Sequence, residues 1–230
     1  MIDLFTTHKP IISNCPRGLK DNIDNWKSNN PSFNFIYYDD CMMEEWMKNN
    51  TSERIFRCFD LLNTGAGRAD LFRVYRMNVE GGVWFDADLP AFDITKARGD
   101  FICLLQENHT VLVKHNHFLN PRYSFMASNP QSKILSLLQE KVISLIENTS
   151  REKINIKTIN VTGPFVLHAL LCDLLNLSNI VDLEPEINYI KSFIYINDII
   201  PAPTLSRYKG YDKDLIEMEV KYHQTLNATK

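Results

Sequence analysis

The chain has 230 residues, of which 44% are hydrophobic, so it can bury a sizeable core in one domain. A formal net charge of −3 and the lack of a dense lysine and arginine block argue against nucleic acid or an anionic membrane as a partner. No stretch approaches the ~20 apolar residues of a spanning helix, and the first residues show no signal-peptide pattern. We expect a chain with no membrane segment that binds a small, neutral or metal-chelated partner.

The cysteines point in the same direction. They are odd in number, widely spaced and free of any CxxC pair: Cys15, Cys41, Cys58, Cys103 and Cys172. This usage is typical of reduced, mostly structural thiols. The sequence therefore predicts an intracellular, cytoplasmic protein.

The first ninety residues alternate between strand and helix patterns. Strands are predicted at 2–5, 32–38 and 83–85, and helices from residue 16 onward and over 42–49, 52–62 and 66–80. This order predicts a parallel, doubly wound half of a sheet. The glycine pair at 81–82 ends the last of these helices. The strand after it stops at Asp86, and open α/β sheets bind ligands at such strand ends.

Beyond residue 90 the pattern loosens. Strands are predicted at 101–105, 110–114 and 122–127, and an antiparallel or mixed arrangement is favoured for them. Amphipathic or apolar patterns predict helices over 130–147 and 165–175. Short strands are predicted at 180–183 and 193–196, followed by a polar tail from residue 206.

Asp86 and Asp88 flank one alanine at the end of the predicted strand. In an extended backbone, residues two apart point to the same side, with Cα atoms roughly 6 to 7 Å apart. Mg²⁺ or Mn²⁺ suits such carboxylates, because it takes one or two of them and completes its shell with water and phosphate oxygens. The same spacing at 212–214 lies in the polar tail, where a solvated surface is the simplest interpretation. Spacing alone therefore leaves both possibilities open.

Several stretches together resemble a known family. The run from Ala69 through Asp70 and Arg73, then 81–88 (GGVWFDAD), resembles the signature of DXD-containing sugar transferases. These include the yeast initiating mannosyltransferases of the glycosyltransferase family 32 sugar-binding-region group and, more distantly, the clostridial glucosylating toxins. The tryptophan and Asn-Pro element at 26–31, the Thr-Gly-Pro element at 162–164 and His223 match further family features. The family's closing Ser-Trp is absent here.

The resemblance implies a GT-A (Rossmann-like) α/β fold, with a mostly parallel central sheet flanked by helices and a smaller mixed acceptor-side region. It implies a UDP- or GDP-sugar as donor, Mn²⁺ or Mg²⁺ as cofactor, a glycan or other hydroxyl acceptor, and hexose transfer with retention. Carried over by position, Asp86 would face the ribose of the nucleotide and the metal, Asp88 would bind the metal, and His223 would contact the diphosphate or the metal. Asp70 and Arg73 would hold the donor sugar as catalytic residues.

We accordingly predict a single domain over residues 1–230. Residues 1–90 would form the nucleotide-sugar-binding half, 91–205 the acceptor-side half and 206–230 a mobile tail. Asp70 and Arg73 lie one helical turn apart, so they could donate to and accept from sugar hydroxyls, or form an ordinary surface ion pair.

Other functions remain open on the sequence alone. A metal-dependent phosphohydrolase or nuclease could use the same aspartates, although it would need further carboxylates for a second metal or a base. A catalytically silent sugar-nucleotide-binding module is the other alternative. Two weaker motifs are a histidine cluster at 109–117 without a completing zinc pattern, and a glycine-rich segment at 63–67 without a phosphate-loop ending.

Overall fold

The computed structural model describes residues 1–8, 12–107, 110–114, 121–150, 158–179, 183–184, 187–189, 193–197 and 199. The predicted tail with His223, most of the strand predicted at 180–183 and the histidines of the cluster at 109–117 lie outside these residues. The parts of the chain that carry the other predicted site residues are described in full.

Within the described residues, seven strands form one sheet in the order β2-β1-β3-β5-β4-β7-β6. The strands are β1 (Asp3–Thr7), β2 (Asn34–Tyr38), β3 (Gly82–Phe85), β4 (Thr110–Lys114), β5 (Pro121–Ser128), β6 (Ile187–Tyr189) and β7 (Phe193–Ile196). β1 is parallel to β2 and β3, and β4 is parallel to β7, whereas β5 and β6 are antiparallel to their neighbours. Most strands thus share one direction, which confirms the predicted α/β class with a mostly parallel sheet.

Helices cover both faces of this sheet. They are α1 (Arg17–Asn29), α2 (Asp40–Asn50), α3 (Glu53–Leu61), α4 (Gly65–Glu80), α5 (Ile94–Ala97), α6 (Phe101–Gln106), α7 (Lys133–Glu147), α8 (Thr158–Val161) and α9 (Pro164–Leu175). Side chains of Asp39, Ser52, Thr64 and Ser132 accept the free N–H groups at the first turns of α2, α3, α4 and α7. None of the helices in the described part of the chain is long and apolar enough to cross a membrane.

The core has two layers because strand side chains alternate between the faces of the sheet. Phe5 and Trp84 lie in the larger layer, which contains the buried faces of α4, α7 and α9. Leu4 and Phe85 lie in the other layer, together with Trp26 of α1. The carboxyl end of β3, which Asp86 follows, therefore lies between α4 on one face of the sheet and α1 on the other.

The strand predicted at 101–105 is wrong, since this segment is helix α6. Its apolar run FICLL fits either a buried strand or a short buried helix, because periodicity cannot separate the two in so short a run. Phe101 and Leu105, four residues apart, are buried, whereas Cys103 between them is exposed. The helical spacing follows from packing against the second layer of the core, in which both residues lie.

The connection from α4 to β3 is tightly built. Gly81 and Gly82 have φ angles of 74° and 111°, which side chains rarely adopt. The fully buried Arg76 donates to the carbonyl of Gly81 at 2.5 Å and pairs with Asp3 and with Glu80. These contacts fix the position of β3 relative to α4, and so the position of Asp86 relative to the residues on α4.

Candidate functional site

The Asp86 to Asp88 segment forms a turn at the carboxyl end of β3. The N–H of Asp86 donates to the carbonyl of Ser124 at 2.8 Å, and the N–H of Leu89 donates to the carbonyl of Asp86 at 2.9 Å. The second bond closes a β-turn over residues 86–89. The extended backbone assumed from the spacing is therefore wrong. Both aspartates are half-buried at this strand end.

Asp86 is held by two side chains of the larger core layer. Its Oδ1 accepts from the indole Nε1 of Trp84 at 2.8 Å and lies 3.2 Å from Nη1 of Arg73. The Asp86 side chain is 32% exposed. In the described part of the chain both contacts use Oδ1, so a ligand to this carboxylate would take Oδ2.

Asp70 and Arg73 form a buried pair beside Asp86. Nη2 of Arg73 lies 2.7 Å from Oδ1 of Asp70, and the two side chains are only 6% and 10% exposed. Arg73 also donates to the carbonyl of Tyr123 at 2.6 Å, and its guanidinium lies over the rings of Trp84 and Tyr123. The alternative of an ordinary surface ion pair is therefore excluded.

The second half of the chain contributes to the same cluster. The hydroxyl of Thr162 donates to Oδ2 of Asp70 at 3.1 Å, and the hydroxyl of Tyr123 donates to the carbonyl of Thr162 at 3.2 Å. All of these groups are buried. The site thus joins α4, the end of β3, β5 and the segment before α9.

The charges of this cluster favour a cation. Burial, opposed by the neighbouring Arg73 and helped by the charge of Asp86, raises the pKa of Asp70 to about 6. Burial lowers the pKa of Arg73, but Asp86 and Asp70 more than offset this, so the guanidinium stays charged. Burial also raises the pKa of Tyr123. Two carboxylates therefore share one guanidinium, and Asp88 adds a third acidic group nearby in the turn.

The other predicted site features have different outcomes. Within the described residues, no group of three or more His, Cys, Asp or Glu side chains is arranged to hold a metal alone. A cation here would need oxygens from water or a bound ligand as well. The glycine-rich segment at 63–67 forms the cap and the first residues of α4, and the Thr64 hydroxyl accepts from the N–H of Gly67 at 3.2 Å. His223 lies outside the described residues.

Two contributions to this site were not predicted from the sequence. Tyr123 has no recognisable signal, because its place beside Arg73 depends on the antiparallel register of β5. The side chains of Asn22 on α1 and of Asn30 directly after it bond to the backbone of the loop after β3. Their spacing of eight residues, with Trp26 midway, places polar groups on the buried face of a helix, and that pattern was available in the sequence.

Residues 16–92 match the family model described as the glycosyltransferase sugar-binding region containing the DXD motif. This range runs from the start of α1 to the loop after β3 and contains Asp70, Arg73, Asp86 and Asp88. The family match supports glycosyl transfer as the general activity and a sugar-nucleotide as the kind of ligand. The chain has no significant match among curated proteins.

Among solved structures, the chain is similar to the protein named PaToxG Glycosyltransferase. The TM-score is 0.52 with 14% sequence identity, over 75% of this chain and 68% of that chain. At this identity the likeness shows the fold alone, and it confirms the predicted GT-A type. The narrower resemblance to the yeast mannosyltransferases stays a prediction.

Proposed function

We propose that this protein is a metal-dependent glycosyltransferase that moves a hexose from a UDP- or GDP-sugar to a hydroxyl group of a glycan or other acceptor, with retention of configuration. One observation carries the proposal. The Asp70 and Arg73 pair is buried directly against Asp86 at a strand end, inside the region that matches the DXD family. Ligands of open α/β sheets bind at this edge.

The acidic residues fit a hard divalent cation. Oδ2 of Asp86 and the carboxylate of Asp88 are oxygen ligands of the kind that Mn²⁺ and Mg²⁺ prefer, and the diphosphate of the donor would complete the shell. We propose His223 as a third protein ligand on the family resemblance. When bound, the cation would stabilise negative charge on the departing diphosphate.

The chain's own residues would orient the donor sugar. Asp70 is fixed by Arg73 on one oxygen and by Thr162 on the other, so its position is defined before any ligand binds. Preorganised groups of this kind are effective because they need no reorganisation during the reaction. The bond from the anomeric carbon to the diphosphate would break and the bond to the acceptor oxygen would form. The acceptor proton would leave on the nucleoside diphosphate.

The remaining predicted features belong to the same proposal. Residues 91–205 would face the acceptor, and the family match leaves the acceptor unspecified. A cytoplasmic location is proposed because none of the five cysteines, all of which lie in the described part of the chain, forms a disulfide.

A screen of UDP-, GDP- and CMP-sugars, with and without Mn²⁺, tests this function. A ligand at 100 times its dissociation constant stabilises the folded state by about 2.7 kcal/mol, which a thermal melt resolves. We expect the sugars of one nucleotide class to raise the melting temperature of the protein only with Mn²⁺. The protein should also cleave these sugars slowly and release nucleoside diphosphate. Asp86→Asn should remove both effects, whereas the exposed Asp60→Asn should not. Stabilisation without any release would favour a silent binding module, and no stabilisation would contradict the proposal.

A further inference from the structure

Helix α1 holds the loop that carries Asp88. The side-chain amide of Asn22 donates from Nδ2 to the carbonyls of Ala87 at 2.8 Å and Leu89 at 2.9 Å. Its Oδ1 accepts from the N–H of Ala91 at 3.1 Å. One buried side chain therefore binds three backbone groups of the loop.

Trp26 of α1 and Asn30, the residue directly after α1, extend this contact. Trp26 is fully buried, stacks on Phe85 at 4.3 Å between ring centroids, and donates from Nε1 to the carbonyl of Leu89 at 2.8 Å. Asn30 donates to the carbonyl of Phe92 at 2.9 Å and accepts from the N–H of Ile94, where α5 begins, at 3.0 Å. Residues four apart share one face of a helix, so a single face of α1 lies along the loop.

Asp88 and Asp86 are held by different sets of contacts. Asp88 lies between Ala87 and Leu89, whose carbonyls are bound by the same amide of Asn22. The backbone of Asp86 bonds to Ser124 and Leu89, and its carboxylate contacts Trp84 and Arg73. Loop backbone has no ladder partners, so its buried polar groups need partners from elsewhere. Loss of the α1 contacts should therefore loosen Asp88 more than Asp86.

We propose that Asn22, Trp26 and Asn30 are positioning residues that set the affinity of the Asp86 and Asp88 turn for its divalent cation, acting through the backbone of Asp88. The inference rests on the proposed function, because it assumes that the turn binds a cation. Groups that orient metal ligands typically change metal affinity by about 10- to 100-fold when removed.

The decisive quantity is the factor by which Mn²⁺ strengthens nucleotide binding. We would measure the dissociation constants of UDP and of GDP by calorimetry, with and without Mn²⁺, and take their ratio as the metal coupling. Asn22→Ala should lower this ratio about tenfold and leave the metal-free affinity unchanged. In an Asp88→Asn background, Asn22→Ala should change neither value, because its effect passes through Asp88.

Two variants keep the test independent of folding defects. Trp26→Phe retains an aromatic ring against Phe85 and removes only the N–H that binds Leu89, so it should lower the ratio severalfold in a folded protein. Asn78→Ala is the matched control, because that amide joins α4 to α7 through Ser136 and Gln139, away from the loop. It should leave the ratio unchanged.

The outcomes separate the two proposals. A wild-type protein in which Mn²⁺ strengthens neither UDP nor GDP binding contradicts the proposed function, and the inference fails with it. A wild-type protein with metal coupling that Asn22→Ala and Trp26→Phe leave unchanged contradicts the inference alone. The inference also fails if Asn22→Ala weakens binding equally with and without Mn²⁺, since α1 would then support the fold in general.

Discussion

The Asp70 and Arg73 pair is the least expected group of residues in this molecule. A buried ion pair seldom stabilises a fold, because the loss of hydration offsets the attraction between the charges. Here a second carboxylate, that of Asp86, lies against the same guanidinium. Stability therefore does not explain the arrangement. We propose that these charged groups are kept for a polar ligand.

The raised pKa of Asp70 predicts a pH-dependent cost to stability. Its pKa is about 6 in the folded state against an ordinary value of 3.8, so the folded state binds more protons than the unfolded state between these values. Stability from this group therefore falls as pH rises from about 4 to 6 and stays low above that. Urea unfolding from pH 4 to 7.5 should show Asp70→Asn gaining stability relative to the wild type across this window.

The exposed Asp21→Asn serves as the control for that comparison, because it removes a surface carboxylate and leaves the buried cluster intact. A constant difference between Asp70→Asn and the wild type at all pH values would show that Asp70 is ionised throughout.

The sequence predicts only part of the arrangement of Asp70 and Arg73. The spacing of Asp70 and Arg73 predicts that they share a helix face, and the structure brings them together. The spacing could not show that this face is buried, because α4 is buried around its whole circumference from Asp70 to Met77. An apolar stripe cannot identify the inner face of such a helix.

The alternation of strands and helices in the first ninety residues could be predicted directly from the sequence. Long periodic segments such as α4 and α7 follow from their apolar patterns. The capping residue Ser52 marks the start of the shorter helix α3. Short segments could not be read in this way. The helix at 101–106 and the turn at 86–89 both depend on tertiary hydrogen bonds and packing, which override local pattern.

The conformation of Gly82, in the glycine pair between α4 and β3, predicts that an alanine at this position is destabilising. Gly82 has a φ of 111°, and a Cβ there would lie 2.8 Å from the backbone carbonyl oxygen of Asp3. Gly82→Ala should lower the free energy of unfolding by about 2 kcal/mol or more, because strain and a backbone clash combine. Urea denaturation measures this loss.

Gly99→Ala is the matched control, because nothing lies within 4 Å of its added Cβ. It should change stability by no more than about 0.5 kcal/mol. Equal effects of the two substitutions would contradict the role of Gly82 in setting β3 against β1.

For the whole molecule, the site depends on both halves of the chain. The family match ends at residue 92, yet Tyr123 and Thr162 complete the surroundings of Asp70 and Arg73. The class of fold could be predicted because strands and helices alternate. The contribution of Tyr123 could not, because it requires β5 to lie antiparallel between β3 and β4. Thr162 was visible only through the family's Thr-Gly-Pro element.

The central claim is that Asp70 and Arg73 recognise the donor sugar, whereas the turn after β3 binds the metal and diphosphate. Asp70→Asn, compared with the wild type in the presence of Mn²⁺, tests it most directly. The measurements are the rate of nucleotide-sugar cleavage and the dissociation constant of the matching nucleoside diphosphate, which lacks the sugar. We predict a rate loss of roughly 100-fold or more with nucleotide affinity almost unchanged. Equal losses in rate and nucleotide affinity, or an undiminished rate, would contradict the claim.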